Sequence, residues 1–216
     1  MHKALHQVLG NESLSTNTFK LIIERGNLNF RAGQCVNLGL PDSGINREYS
    51  TYSGEQENKL EFLVREVEGG DVSPALRKLK TGDTIEIDGA YGLFTLQESK
   101  PEDKSYVFVA TGTGIAPFHG FIRNRLDLNY KVLHGTRLIE ENYEIGHYDR
   151  ERYIHCVSQE KGGNFEGRVS DYLRQNPQGS DNHYYLCGNR NMANEVYDIL
   201  REQRVSGTNI MTEVFF

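Results

Sequence analysis

Cysteine is scarce in this sequence: Cys35, Cys156 and Cys187 are the three in 216 residues. No two stand in a C-x-x-C pair, so neither a zinc site nor a four-cysteine iron–sulfur cluster can be assembled from this chain alone. A small, odd number also suggests a reducing compartment. Long apolar runs are missing as well. No stretch approaches the ~18 residues a membrane helix needs, and the opening MHKALHQVLG lacks the apolar core and cleavage signature of a secretory leader. These absences lead us to expect a cytoplasmic protein without membrane insertion. Positive charge is not in excess: Lys and Arg number 24 against 30 Asp and Glu, a net charge of -6. Nucleic acid is therefore not the expected partner. Internal repeats and low-complexity tracts are absent too. What is there is ordinary for a globular chain, 37% hydrophobic and 25% charged, with length for one large domain or two small ones.

The two halves differ in pattern. Up to about residue 98 the chain reads as short strands, KALHQVLG, FKLIIERG, QCVNLGL, EYSTYS, LEFLVREV and TIEIDGAYG, punctuated by Gly, Asn and Asp. One helix interrupts them, with Ser73 as its expected cap, Pro74 in its first turn, and Leu76 and Leu79 on one face. This pattern predicts a small antiparallel barrel. The polar segment SKPEDKS, residues 99–105, is the expected boundary, giving domains 1–98 and 104–216. Beyond it strands and helices alternate. YVFVAT, YKVLHGT, RYIHCVSQ and HYYLCG read as strands. IAPFHGFIRNRL, LIEENYEI, RVSDYLRQ and NMANEVYDILREQ read as helices. Such alternation predicts a parallel sheet covered on both faces, which binds ligands at the carboxyl ends of its strands.

Five places carry candidate chemistry. Arg47, Tyr49 and Ser50 lie along one strand, with Ser53 close behind; alternate residues share a face, so a ring for stacking and a guanidinium for phosphate stand together. A half-exposed strand with ordinary polar residues would look the same. Gly69-Gly70-Asp71-Val72-Ser73-Pro74 opens the first helix, where glycines admit an anion to backbone N–H groups; a plain capped turn is the simpler alternative. Thr111-Gly112-Thr113-Gly114-Ile115-Ala116-Pro117 joins a buried strand to a helix, as a dinucleotide fingerprint does, with Pro117 where the third glycine would stand. Cys187-Gly188-Asn189 ends a late strand, where the cysteine either faces a reactive ring or is simply buried. The tail, Glu213-Val214-Phe215-Phe216, is a final strand plugging the core or a ring covering a ligand.

In this order and over nearly the whole chain, these motifs resemble those of the ferredoxin–NADP reductase superfamily. The resemblance implies a flavin-binding antiparallel barrel followed by a nucleotide-binding α/β domain, with FAD between them. Tyr49 would stack on the flavin ring, Ser50 would bond near its N5 atom, and Arg47 would hold the pyrophosphate. Gly70 and Ser73 resemble the motif supplying further phosphate contacts. Gly89-Ala90-Tyr91-Gly92-Leu93-Phe94 is similar to the family's strand-ending glycine segment, with alanine in place of the common proline. Thr111, Gly112, Thr113 and Gly114 would take the nucleotide pyrophosphate, and Cys187 and Gly188 would lie beside the nicotinamide. Glu213 and Phe215 match the ending in which an aromatic ring covers the flavin, with Phe216 as the alternative ring. Ser50, Cys187, Glu213 and Phe215 are thereby placed at the reacting centre.

The activity implied is hydride transfer between nicotinamide C4 and flavin N5, coupled to single-electron exchange with a separate ferredoxin- or flavodoxin-like carrier. NADPH is the expected donor. The strand HGTR carries no carboxylate before Arg137, and Ser158 and Arg168 lie where related enzymes contact the 2′-phosphate. Gln159 occupies a position often held by arginine in bacterial relatives, which leaves NADH possible. The alternatives are an NADH-dependent reductase component of an oxygenase, an electron-transfer subunit of a larger complex, and a non-redox nucleotide-binding module.

Overall fold

The computed structural model describes residues 3–96 and 105–215. Residues 99–104 of the expected boundary, and Phe216, lie outside them. Two compact units are present, one formed by Met1–Leu96 with Ala116–Leu126 and the other by Gln97–Ile115 with Asp127–Phe216.

The first unit is the expected antiparallel sheet. Its strands are β1 (Lys3–Ser13), β2 (Thr18–Glu24), β3 (Cys35–Gly39), β4 (Asn46–Ser50), β5 (Lys59–Arg65) and β6 (Thr84–Tyr91), in the order β4-β3-β6-β1-β2-β5. Phe19, Leu21 and Ile23 of β2 and Leu60, Phe62 and Val64 of β5 alternate into one core, as the two-residue period of a strand requires. Val36, Leu38, Ile85 and Ile87 complete it from β3 and β6. The Tyr52 N–H donates to the Glu61 carbonyl at 2.8 Å, which draws the chain after β4 onto β5 and curls the sheet towards a barrel.

Helix α1 (Ser73–Arg77) differs from expectation at its start. Val72, not Ser73, occupies the cap position, and no side chain caps the helix. The Ser73 hydroxyl instead accepts the Val67 N–H at 2.9 Å, closing the preceding loop. The other end is held by Asn11 of β1, whose amide donates to the carbonyls of Leu76, Arg77 and Leu79 at 3.0–3.1 Å. These carbonyls close the last turn, where a short helix leaves acceptors spare; that of Leu76 also accepts the Leu79 N–H at 3.2 Å.

Helix α2 (Ala116–Asn124) packs within this unit. Gly120 makes that possible, since a Cβ there would sit 3.3 Å from the Ser53 carbonyl oxygen and 3.4 Å from that of Thr51. Next to it His119 stacks on Tyr52, with ring centroids 3.6 Å apart, and its Nδ1 donates to the Tyr52 carbonyl at 2.6 Å. Phe118 and Phe121 pack with Phe94. Arg123 then reaches two carboxylates, Glu57 at 2.7 Å and the buried Glu61 at 2.6 Å.

The second unit is a wholly parallel sheet of β7 (Tyr106–Thr111), β8 (Tyr130–Thr136), β9 (Tyr153–Val157), β10 (Phe165–Glu166), β11 (His183–Asn189) and β12 (Ile210–Phe215), in the order β10-β9-β8-β7-β11-β12. Strand order reverses between β7 and β11. Helices α3 (Val169–Gln175) and α4 (Arg190–Glu202) pack on it. α4 buries Met192, Ala193, Val196, Ile199 and Leu200, one stripe at helical spacing. Its cap is Asn189, whose side chain accepts the N–H groups of Asn191 and Met192.

The helix expected at LIEENYEI is not an α-helix. Two single 3₁₀ turns, Ile139–Glu141 and Ile145–His147, stand there. Glu144 takes a left-handed φ of 47° between them, which breaks any continuous helical ladder. The tail is a strand: β12 pairs with β11 along its length, and Val214 packs on the core of this unit. No helix among the described residues is long and apolar enough to cross a membrane.

Glu61 is 1% exposed and carries its charge by virtue of its neighbours. Burial pushes its pKa up, but the Lys59 hydrogen bond and the charges of Arg123, Lys20 and Lys59 outweigh burial and leave it below the usual value. A carboxylate with a lowered folded-state pKa contributes stability above its unfolded pKa and loses it as pH falls through the folded one. Arg123→Ala should therefore move the acid-unfolding midpoint to higher pH. At neutral pH it should cost about 1–3 kcal/mol, the penalty of a buried charge deprived of a partner. Denaturant titrations at pH 7 and pH 4 check both; an unchanged acid midpoint would show that Lys59 alone keeps Glu61 ionised.

Candidate functional site

In the first unit the candidates gather between β4 and the start of α1. Arg47 and Tyr49 of β4 pair with Leu38 and Val36 of β3. Tyr49 lies half-buried against the barrel core, and burial pushes its phenol up to about 12, with the Arg47 charge pulling the other way. It is a neutral aromatic surface at any physiological pH. Arg47 is exposed and its guanidinium donates to the adjacent Asn46 carbonyl at 2.8 Å. A cavity of about 50 Å³ beside this strand is lined by Leu40, Ser43 and Ile45 from the β3–β4 turn and by Asp71, Val72 and Ala75 from the start of α1. The cavity thus joins the turn that leads into the first motif to the second motif, Asp71 and Val72 lying within the latter.

The two glycines of the second motif differ in their surroundings, and Gly69 is the open one. Gly69 has φ +72° and nothing within 4 Å of where a Cβ would stand, whereas a Cβ on Gly70 would lie 3.0 Å from the Val67 carbonyl oxygen. Ser73 is buried with its oxygen already accepting one N–H, so its own proton remains to be donated. Ser50 is buried at the end of β4, opposite Cys35. Ser53 is fully buried, and its hydroxyl accepts the Glu61 N–H at 3.2 Å, which gives it a place in the wall of the barrel. At the end of β6 Tyr91 donates to the Asp88 carboxylate at 2.6 Å, and in the segment beyond it Leu93 is 90% exposed.

In the second unit the third and fourth motifs meet at the point where strand order reverses. Ideal Cβ atoms make the reason for the glycines explicit. On Gly114 a Cβ would lie 2.4 Å from the Cys187 carbonyl oxygen; on Gly188 it would lie 2.5 Å from Thr111 Oγ1 and 2.8 Å from the Thr111 carbonyl oxygen. The turn after β7 and the end of β11 therefore touch backbone to backbone. Thr111 Oγ1 also accepts the Asn189 N–H at 2.9 Å. Gly112 is glycine for a different reason: its φ is +52°, and the space around a Cβ there is open. Thr113 follows it in the same 3₁₀ turn, Gly112–Ile115.

Cys187 is fully buried beneath this contact. Burial raises its thiol well above the ordinary value, and the Glu213 carboxylate raises it further, so it stays protonated. Glu213 pairs with Cys187 across β11–β12, and Phe215 pairs with Asn189 two residues further along, at the carboxyl edge.

Arg137, Ser158 and Arg168 follow β8, β9 and β10 and lie on that same edge. Ser158 donates its hydroxyl to the Thr136 carbonyl at 3.0 Å, and the Gln159 N–H bonds the Arg137 carbonyl at 3.0 Å. These bonds hold the first two loops together. Arg168 precedes α3, where its N–H donates to the Asp171 carboxylate. Sequence reasoning missed Glu141. Its carboxylate returns to the end of β8 and accepts the N–H groups of Arg137 and Leu138 at 2.9 and 3.1 Å. The signal lay in the two glutamates just after HGTR, hidden by reading that segment as a helix. It also missed a polar cluster inside the sheet. His134 touches the Tyr153 hydroxyl at 2.6 Å and the Gly112 carbonyl at 2.8 Å, and His155 touches Thr136 Oγ1 at 2.7 Å. Histidines inside apolar strand runs were the available signal.

An oxidoreductase FAD-binding domain model matches residues 6–96, and an oxidoreductase NAD-binding domain model matches residues 108–198. Ferredoxin–NADP reductase B of Sorangium cellulosum is 30% identical, over 80% of this chain and 79% of its own length. This chain belongs to the ferredoxin–NADP reductase superfamily. Within that superfamily of FAD-dependent NAD(P)H oxidoreductases, it is also 32% identical to the toluate 1,2-dioxygenase electron transfer component of Pseudomonas putida, over 94% of this chain. It spans 64% of that protein's length. The fold matches a ferredoxin NADP+ reductase from Neisseria gonorrhoeae, solved with bound FAD and NADP, over all of both chains with a TM-score of 0.86 and 23% identity.

The donor sets of this superfamily member suit its two cofactors. The half-buried Tyr49, the exposed Arg47 and the open backbone at Gly69 suit a ring joined to a pyrophosphate. The open, left-handed Gly112 at the strand reversal suits a second one. The distinct roles of its glycines can be separated. Gly112→Ala should fold, at about 1–2 kcal/mol for a left-handed alanine. Gly114→Ala drives a methyl into the Cys187 backbone and should cost about 3 kcal/mol or more. Thermal melts of the two variants check this; equal losses would mean the turn relaxes around Gly114.

Proposed function

We propose that this reductase carries electrons between NADPH and a one-electron carrier protein of the ferredoxin or flavodoxin kind, with residues 1–98 holding FAD and 104–216 holding the nucleotide. The observation that carries the reading is the junction of Thr111–Gly114 with Cys187–Gly188 at the strand reversal, the place where an open parallel sheet binds a dinucleotide. FAD, when bound, supplies the exchange between a two-electron hydride and single electrons.

The protein's part is placement. Tyr49 offers its ring as a stacking surface and Arg47 its guanidinium to phosphate, with Gly70, Ser73 and the open Gly69 beside it. Ser50 is the polar group at the end of the Tyr49 strand and supplies the flavin contact. On the nucleotide side, Thr111 to Gly114 take the pyrophosphate, and Cys187 with Gly188 forms the floor under the nicotinamide. Protonated and buried, Cys187 acts as a neutral surface rather than a nucleophile. Glu213 and Phe215 border the same edge. Arg137 and Arg168 offer two cations to a 2′-phosphate, and the Ser158 hydroxyl would join them by turning its proton from the Thr136 carbonyl. Three free thiols suit work in a reducing, cytoplasmic setting.

A second reading is an NADH-dependent reductase component of an oxygenase. Glu141 favours it, because a carboxylate at the end of the second strand repels a 2′-phosphate and accepts a ribose hydroxyl.

Purified protein should be yellow and retain one FAD, and NADPH should bleach its flavin band anaerobically. Colourless protein that does not reconstitute with FAD contradicts the proposal. Tyr49→Ala should weaken FAD retention by about 1–3 kcal/mol, the worth of a stacked, buried ring. Steady-state kcat/KM with each nucleotide separates the readings: a higher value with NADH selects the oxygenase component. Reduction of cytochrome c that depends on added ferredoxin or flavodoxin identifies the carrier type.

A further inference from the structure

We propose that His134 is a positioning residue for dinucleotide binding: from inside the sheet it holds the Gly112 carbonyl, and so aims the Thr113 N–H at the pyrophosphate. The proposal rests on the reading that the nucleotide binds at the strand reversal.

His134 lies in β8, paired with Ala110 of β7, and is fully buried. Both ring nitrogens are engaged, Nε2 with the Gly112 carbonyl oxygen at 2.8 Å and Nδ1 with the Tyr153 hydroxyl at 2.6 Å. A carbonyl only accepts, so Nε2 carries the ring proton. Nδ1 is then bare and accepts the proton of the Tyr153 hydroxyl. One tautomer satisfies both contacts. Burial first, with the neighbouring His155 as a further push, holds the ring's pKa down to about 3 against the opposing pull of the Gly112 bond, so the imidazole stays neutral at any working pH.

The consequence lies one peptide further on. The Gly112–Thr113 bond is not among the cis peptides of the described residues. In a trans peptide the C=O and the N–H point in opposite directions. With the Gly112 carbonyl drawn onto His134 inside the sheet, the Thr113 N–H points away from it, toward the carboxyl edge. Gly112 has φ +52° with open space around it, a conformation that glycine can leave as easily as adopt. The histidine bond adds to the 3₁₀ turn Gly112–Ile115 in holding this peptide in one orientation. Tyr153, His134, Gly112 and Thr113 thus form one chain of donors and acceptors ending at the pyrophosphate. His134 touches no reacting atom, so its effect is confined to nucleotides that carry a pyrophosphate.

The test uses the FAD-loaded protein with His134→Leu, His134→Gln and Tyr153→Phe. Calorimetry gives the NADP+ dissociation constant. Stopped flow gives flavin reduction by NADPH, by NADH and by reduced nicotinamide riboside, which lacks the pyrophosphate. His134→Leu should weaken NADP+ and raise the NADPH KM about tenfold with little change in kcat, as loss of an oriented hydrogen bond predicts. Its rate with reduced nicotinamide riboside should match wild type. His134→Gln, which keeps a donor at similar reach, should recover most of the affinity, and Tyr153→Phe should lose about threefold. Equal loss with the riboside and with NADPH, or no loss with either, overturns the proposal. If His134→Leu does not fold, Tyr153→Phe and His134→Gln decide by the same criterion. A wild-type flavin that neither NADPH nor NADH reduces overturns the functional reading itself, and this proposal with it.

Discussion

Two stretches of backbone meet without side chains between them at the centre of the parallel sheet, and much of the candidate nucleotide site depends on that meeting. A Cβ on Gly114 would overlap the Cys187 carbonyl, and one on Gly188 would overlap Thr111. Because neither is present, the turn after β7 can seat against the end of β11, and Thr111 can accept the Asn189 N–H. That bond leads directly to the next element, since Asn189 is the cap of α4. The same contact sets Cys187 out of solvent beside Glu213 of β12. Any cofactor bound at this edge would meet main-chain groups first, with the thiol as a protonated, uncharged floor.

The barrel unit is organised around a charge instead. Glu61 is buried within a strand, where a carboxylate is expensive unless compensated. Lys59 and Arg123 supply the compensation from two sides. Arg123 belongs to α2, so the ion pairs, the His119–Tyr52 stack and the close approach at Gly120 fasten one helix to β5 and to the segment between β4 and β5. Tyr49 and Ser50 lie just before that segment. The rigidity available to the flavin site proposed on β4 would come from these contacts behind it, as precise placement of a binding group requires.

Buried polarity in the second unit has another character. His134, Tyr153, His155 and Thr136 sit inside the parallel sheet as neutral groups joined by short hydrogen bonds. Burial holds both histidines below their ordinary pKa and Tyr153 above its own. A network with its donors and acceptors matched has few alternative arrangements. Around it the exposed edge is mixed in sign, with Arg137 and Arg168 on one side of the balance and Glu141 on the other.

The sequence by itself determined the class of each half. Strand and helix periodicities are local, and a two-residue alternation in LEFLVR or an apolar run in YVFVAT reads the same before and after folding. It also determined the order of the motifs, since Arg47, Tyr49, Gly112, Cys187 and Glu213 announce themselves by type and position on their strands. What it left open was decided by contacts between residues distant along the chain. The roles of Gly112 and Gly114, two residues apart, differ because one needs a left-handed φ and the other needs the absent Cβ to admit β11. Ser73 looked like a helix cap, but its hydroxyl serves the Val67 N–H. LIEENYEI looked helical, but Glu141 folds back onto backbone N–H groups at the end of β8, and Glu160 beyond β9 takes the Ile139 N–H. His134 gave no sign of its partners, because Gly112 lies 22 residues before it and Tyr153 lies 19 after it. Only the parallel pairing of β7, β8 and β9 puts the three together, and a hydrogen bond depends on distance in space rather than along the chain.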